Sequence, residues 1–393
     1  MITLDEIKNF KKDLEEYKGK ILSVYCDINP AKPENKNKAW LTRIKNSLKE
    51  IKELHKKEKG EKSLYEEIIS VLEQIKPDAK TLALFAGKYE AKKLLIKRFD
   101  LQVELPVVDV GHGKVDVHYG EPYITPLLYA FDEYERTAVI HISSSGNWKF
   151  YEIFLNEIKE FKEAFEEITS SEWSSILGYD SNLRNFLYHS EGIKDKEKYK
   201  EKVKVWIHKI YSKLARLVEN AANKIGISRI VLMGEKYQTS FFEKYLSKNI
   251  RKKIVGHVGN PKNIKDPSPK EILNKVLPIL EEAERKEEME LLNKVKYKGI
   301  YGLEKVLEAL QTGQVFLLIV PWNLKIEVWM CDEGWIAPKK ENLAGICNDV
   351  KKVQLKKIIF DIARDFGARL EFVSGEPEDK LIEEFDGIAA LLR

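Results

Sequence analysis

"GEPYITPLLYAFDEYERTAVIHIS" (residues 120–143) holds the main joint of this chain. Pro122 and Pro126 punctuate a turn and a short apolar helix follows. From Thr137 the run of β-branched and apolar residues has the character of a buried strand. The stretch predicts a first domain ending near residue 132 and a second opening with the strand "TAVIHISS".

Upstream, "KILSVYCDINP" reads as a buried strand stopped by Asn29-Pro30, "SLYEEIISVLEQIK" as a helix, and "TLALFAGKYEAKKLLI" as strand, turn, strand. Downstream, "WKFYEIFLNEIKEF" is the hairpin partner of the second domain's first strand. A long helix follows, with Val203, Ile207, Ile210, Leu214, Leu217, Ala221 and Ile225 on one stripe and Gly226 as its C-cap. "RIVLMG" is a further strand, and "TSFFEKYLSKNIRKKIVGHVG" a helix plus a last strand. "GNPKNIKDP" (259–267) reads as a linker before the capping box Ser268-Pro269-Lys270-Glu271, which starts another long helix. Helices and strands then alternate to the end, as in an α/β sandwich. The predicted domains are 1–132, 133–258 and 268–393.

Composition bounds the function. The chain has 393 residues, 43% of them hydrophobic, which argues for packed domains and against disorder. No apolar run approaches the roughly 20 residues that cross a bilayer. The N-terminus reads as an amphipathic helix without a signal peptide's apolar core, so a cytoplasmic protein is expected. Cys26, Cys331 and Cys347 lie far apart and predict no disulfide framework. Charged residues reach 33% at a net charge of only +4, a thermophile-like composition. Residues 31–62 hold ten Lys and one Arg against five Glu, a net +6 within a chain of +4. Lys36, Lys38, Arg43 and Lys45 are candidates to meet RNA phosphates there, the alternative being a solvated helix face.

Several chemistries fail on their residues. His112, Asp116 and His118 share one face of a strand and could approach a metal, but Lys114 among them opposes a cation. Around Cys331 and Cys347, Gly334 and Val350 stand where a zinc ribbon needs its second cysteines, so buried thiols and no metal are expected. Two-metal nuclease chemistry needs a carboxylate in the first strand of the second domain, and "TAVIHISSSG" has none. Neither a Gly-x-Ser-x-Gly elbow nor a phosphate-binding glycine loop occurs, and no cofactor is expected. His189, near Asp180 and Arg184, is the one candidate acid/base group, with a plain surface histidine as the alternative.

Three segments taken together carry a resemblance: the joint at 120–143, "SPKEILNKVLPILEEAERKEEMELLNKV…GLEKVLEALQTGQVFLLIV", and the end "EEFDGIAALLR". The chain resembles, over essentially its whole length, the bacterial and archaeal release-factor-like family. Its relatives are the archaeal and eukaryotic class I release factors, Pelota and the Balon-type ribosome hibernation factors. The resemblance implies an N-terminal α/β domain that faces the decoding centre and a ribonuclease-H-like middle domain directed at the peptidyl-transferase centre. The third implied domain is a C-terminal α/β/α sandwich of the kink-turn-binding ribosomal-protein type.

True release factors carry Gly-Gly-Gln on a middle-domain loop. The corresponding stretch here, "SSEWSSILGYDSNLRNFLYHSEG" (170–192), has no glutamine. Gln238 and Gln314 belong to other elements. Trp173, Arg184 and His189 in that stretch suit contacts to unpaired RNA, or, alternatively, form a cap packed on their own domain. The implied partners are the ribosome, through its RNA at the aminoacyl site, and elongation factor Tu or a related translational GTPase. Two functions stay open: a non-hydrolytic ribosome-binding factor, and a peptidyl-tRNA hydrolase with a substitute for the glutamine.

Overall fold

The computed structural model describes residues 4–17, 19–56, 62–88, 94–109, 114–133, 135–143, 147–176, 196–261, 267–345 and 349–393. By contacts the chain divides into two compact units, residues 134–283 and residues 2–133 together with 284–393.

The N-terminal part has the order α1 (Leu4–Glu16), β1 (Ile21–Asp27), α2 (Ala39–Lys49), α3 (Leu64–Glu73), β2 (Thr81–Lys88), β3 (Leu94–Leu101), β4 (Val115–Gly120) and α4 (Thr125–Glu133). The strands form one antiparallel sheet, β3-β2-β1-β4. Every residue of β1 is buried, because helices cover both faces of the sheet. Leu22, Val24 and Cys26 pack against Trp40, Ile44 and Leu48 of α2 and Ile68 and Leu72 of α3. The alternate residue Tyr25 meets Phe85, which with Phe99 packs on Phe10 of α1 at centroid distances of 5.0 and 5.3 Å. Ser63 starts α3 in a capping box with Glu66.

The middle unit runs β5 (Thr137–His141), β6 (Lys149–Phe154), β7 (Glu157–Glu160), a helical stretch at 170–176, α5 (Lys196–Lys224), β8 (Arg229–Met233), α6 (Lys236–Glu243), α7 (Lys248–Arg251) and β9 (Ile254–Val258). Its sheet order is β7-β6-β5-β8-β9. The pairs β5–β6 and β6–β7 are antiparallel, β5–β8 and β8–β9 parallel. This is the expected ribonuclease-H-like topology. The predicted stripe of α5 packs on one face, with Ile207, Ile210, Leu214, Leu217 and Ala221 buried. The other face receives Ile272 and Val276 from α8 (Pro269–Lys298). Ser268 caps α8 as the sequence predicts.

The C-terminal part continues with β10 (Gly299–Tyr301), α9 (Leu303–Gln311), β11 (Val315–Pro321), β12 (Glu327–Cys331), β13 (Ile336–Ala337), β14 (Val350–Gln354), α10 (Leu355–Asp365), β15 (Arg369–Val373), α11 (Glu376–Glu384) and β16 (Ala389–Leu392). The main sheet is β10-β16-β11-β15, with β11 and β15 parallel. Leu292 and Val295 of α8 and Leu381 of α11 cover one face at Leu317, Ile319, Val373 and Ala389. Strand alternation turns Leu318 and Val320 towards α9 and α10, giving the expected α/β/α sandwich. β13-β12-β14 form a separate small sheet inserted before α10.

Within this unit α4 packs on α10. Tyr129 lies edge-on to Phe360 and Phe372, 5.4 Å from each centroid, and Thr125 Oγ1 donates to Asp361 Oδ1 at 2.7 Å.

One cysteine expectation is corrected. Cys26 is free and buried, as expected, but Cys331 is disulfide-bonded. Sequence distance alone does not prevent pairing, because a folded insert can return the chain to its own base. Cys347 lies outside the described residues.

Candidate RNA-binding surface

The basic segment is organised around one buried acid. Asp27 ends β1 with its side chain 1% exposed. It accepts from Asn29 N and Asn35 Nδ2, each at 2.9 Å, and from Lys32 Nζ at 2.7 Å. Lys32 also reaches Glu104 at 2.8 Å, and Lys114 bridges towards Asp27 at 3.9 Å while bonding Glu34. Burial works against the charge on Lys32, but its bonds to Asp27 and Glu104 outweigh that and raise its pKa.

This network fixes where the predicted cations point. Arg43 donates to Asp27 O at 3.2 Å, Glu34 O at 3.1 Å and Asn35 Oδ1, so it ties the 27–35 turn to α2. Lys38, at the left-handed φ of +56°, donates to Glu73 O at 2.6 Å. Lys45 pairs with Glu73 Oε1 at 2.7 Å, and that bond lowers the Glu73 pKa. The side chain of Lys36 is exposed and has no hydrogen-bond partner among the described residues; those of Lys49 and Lys52, outside the predicted set, share that property. Beside α2 lies an open groove of about 560 Å³, lined by Arg43, Asn46, Ser47, Glu50 and Asp116 together with Lys357 of α10.

Trp173 requires a correction. It is 6% exposed and sits edge-on to Phe165, 5.9 Å between centroids, inside the middle unit's core. The stretch from Ser170 is helical, with Thr169 and Glu172 bonding each other's backbone N–H as a capping box, and this turns Trp173 and Ile176 inward. Of the two readings open in the sequence, the packed cap fits this side chain. Arg184 and His189 lie outside the described residues.

A second basic face lies on α5, where the apolar stripe is the stronger signal in the sequence. Trp206, Lys209, Lys213 and Arg216 recur at helical spacing along a groove of about 510 Å³. Lys213 is held by Glu172 at 2.9 Å and by Glu167 O at 2.9 Å. Arg216 lies 3.8 Å from Glu167, while Lys209 has no hydrogen-bond or ion-pair partner among the described residues.

Two further arrangements have the form of catalytic groups. Asp116 and His118 bond each other at 3.2 Å and the His118 ring lies 3.9 Å from that of Tyr123, while His112 lies outside the described residues. At the ends of the parallel strands, Thr239 Oγ1, His257 and Glu243 follow one another at 3.0 and 3.1 Å, in the order of a hydrolase triad. Thr239, however, is 0% exposed and its hydroxyl donates to Lys236 O, so no substrate carbon can reach it. Gln238 beside it is buried in α6. Among the described residues no group of three His, Cys, Asp or Glu could hold a metal ion, and no helix is long and apolar enough to cross a membrane.

No curated protein matches the chain. The family described as bacterial archaeo-eukaryotic release factor family 10 matches residues 122–281, and eRF1 domain 3 matches residues 280–393. Among solved structures, the archaeal translation termination factor aRF1 is 14% identical over 100% of this chain and 98% of its own, at a TM-score of 0.24. Archaeoglobus fulgidus Pelota is 14% identical over 81% of both chains (TM-score 0.31). Ribosome-bound archaeal Pelota with ABCE1 gives 16% identity over 100% of this chain and 94% of that one (TM-score 0.38). At these TM-scores the structural likenesses add nothing to the two family matches. Those matches meet at residues 280–281, and together they make residues 122–393 release-factor-like.

Proposed function

We propose that this protein is a cytoplasmic factor of the release-factor type that enters the ribosomal aminoacyl site without hydrolysing peptidyl-tRNA, in ribosome hibernation or the rescue of stalled ribosomes. One observation carries the reading. Residues 122–393 are release-factor-like, yet the chain has no Gly-Gly-Gln and no glutamine at all between Gln102 and the buried Gln238. Water attack on the peptidyl ester is thereby left without the family's positioning group.

Binding is supplied by charge. Lys36, Lys49 and Lys52 are free to meet phosphates near the decoding centre, while Lys38, Arg43 and Lys45 hold the turn that presents Lys36. In the middle unit, Lys209 beside Trp206, with Arg184 and His189, meets RNA near the peptidyl-transferase centre. The C-terminal sandwich meets ribosomal protein or a translational GTPase such as elongation factor Tu.

The test is peptide release from stalled ribosomal complexes by the purified protein. The reading predicts release no faster than the blank. Release that His189→Ala abolishes would establish the hydrolase instead.

A further inference from the structure

Between the small inserted sheet and α10 lies a groove of about 400 Å³. Its floor is apolar: Met330, Ile358, Ile362, Phe366 and Trp335, the last 43% exposed. Its charged lining residues, among those described, are all carboxylates: Glu333, Asp361 and Asp365. Arg364 reaches Asp361 at 3.3 Å and Asp365 at 2.9 Å without lining the groove, so the rim keeps an excess of acid. The grooves beside α1, α2 and α5 each carry at least two cations.

The turn that carries Trp335 is held in place. Cys331 N donates to Trp335 O at 3.0 Å, and Gly334 N returns to Cys331 O at 3.0 Å. Gly334 closes that turn at φ +89°, and Cys331 is anchored by its disulfide. Across the groove, Thr125 fixes Asp361. An exposed aromatic side chain on a rigid turn, with a second aromatic lining the same groove, suits a docking anchor.

We propose that this groove docks a lysine- and arginine-rich protein segment carrying one large apolar side chain. The apolar group packs on Trp335 and Phe366, and the flanking cations reach Glu333 and Asp365. RNA is disfavoured because its phosphates would stand beside three carboxylates. The proposal does not rest on the RNA contacts proposed above, which use residues of other grooves.

The probe is a fluorescein-labelled synthetic peptide of alternating Lys and Arg around a single tryptophan, read by anisotropy against the full-length protein. Trp335→Ala should weaken binding about tenfold or more, as loss of an anchor does. Glu333→Gln with Asp365→Asn should weaken it several-fold at low salt and little at high salt. Replacing the peptide's tryptophan by alanine should match the effect of Trp335→Ala. Circular dichroism melts check that these exposed substitutions leave the fold intact. Peptide affinity unchanged in all variants would overturn the proposal. So would a dimer in sedimentation that Trp335→Ala dissolves, or a matching loss of oligouridine affinity in the same variants.

Discussion

Asp27 shows how a single residue can organise a surface it does not itself present. Its carboxylate is buried and saturated by Asn29, Lys32 and Asn35, so removing it takes the acceptor from Asn29 N and leaves Lys32 with Glu104 alone and Asn35 Nδ2 with Asn29 O alone. Asp27→Ala should therefore cost about 3–5 kcal/mol in urea unfolding, the range for breaking a buried pair. A cost below about 1 kcal/mol, as for an exposed pair, would contradict the network. Glu288 behaves oppositely. Burial pushes its carboxyl up to about 8, outweighing Arg285 at 2.8 Å. A raised folded-state pKa means the native state holds a proton that the unfolded chain has released. The Glu288 contribution is then complete below the unfolded value near 4.5 and is lost as pH rises through about 8. Glu288→Gln, which mimics the protonated acid, should gain in melting temperature over the parent as pH climbs through that window. Parallel melting curves across it would show that Glu288 is ionised in the native state.

The disulfide of Cys331 acts at the scale of the element. β12 carries the small inserted sheet, pairing with β13 through two residues and with β14 through five. So small a sheet is marginal alone and gains from a staple. Reduction, or Cys331→Ser, should cost about 2–4 kcal/mol, with amide exchange accelerated first at residues 327–337. Uniform acceleration across the chain would mean the bond stabilises the whole fold and not the insert. Helices and strands were mostly legible because their signals are local. Ser268-Pro269 starts α8, Gly226 ends α5, and the β-branched run of β1 is buried throughout. What stayed hidden depends on contacts far apart in sequence. Nothing near Trp173 announces that Phe165 and α5 will cover it, and nothing near Arg43 announces that Asp27 and Asn35 will absorb its guanidinium. Residues 31–62 form a stripe by charge, but a cation's availability depends on carbonyls and carboxylates that folding brings to it.

Across the whole molecule, residues 122–393 are release-factor-like and the chain carries no Gly-Gly-Gln. The two family matches meet inside α8, whose first half packs on the middle sheet and whose second half packs on the C-terminal sandwich. The proposed ribosome binding rests on phosphate contacts, which release counterions and weaken steeply with salt. The most direct measurement is co-sedimentation of the full-length protein with vacant ribosomes across a salt series, beside a Lys36→Ala/Lys49→Ala/Lys52→Ala variant. Binding that an occupied aminoacyl site blocks is the expected result. So is a logarithmic salt slope shallower in the variant by roughly 0.7 for each lost phosphate contact. Binding unaffected by salt and by the three substitutions, or no binding to ribosomes at all, would contradict the ribosomal reading.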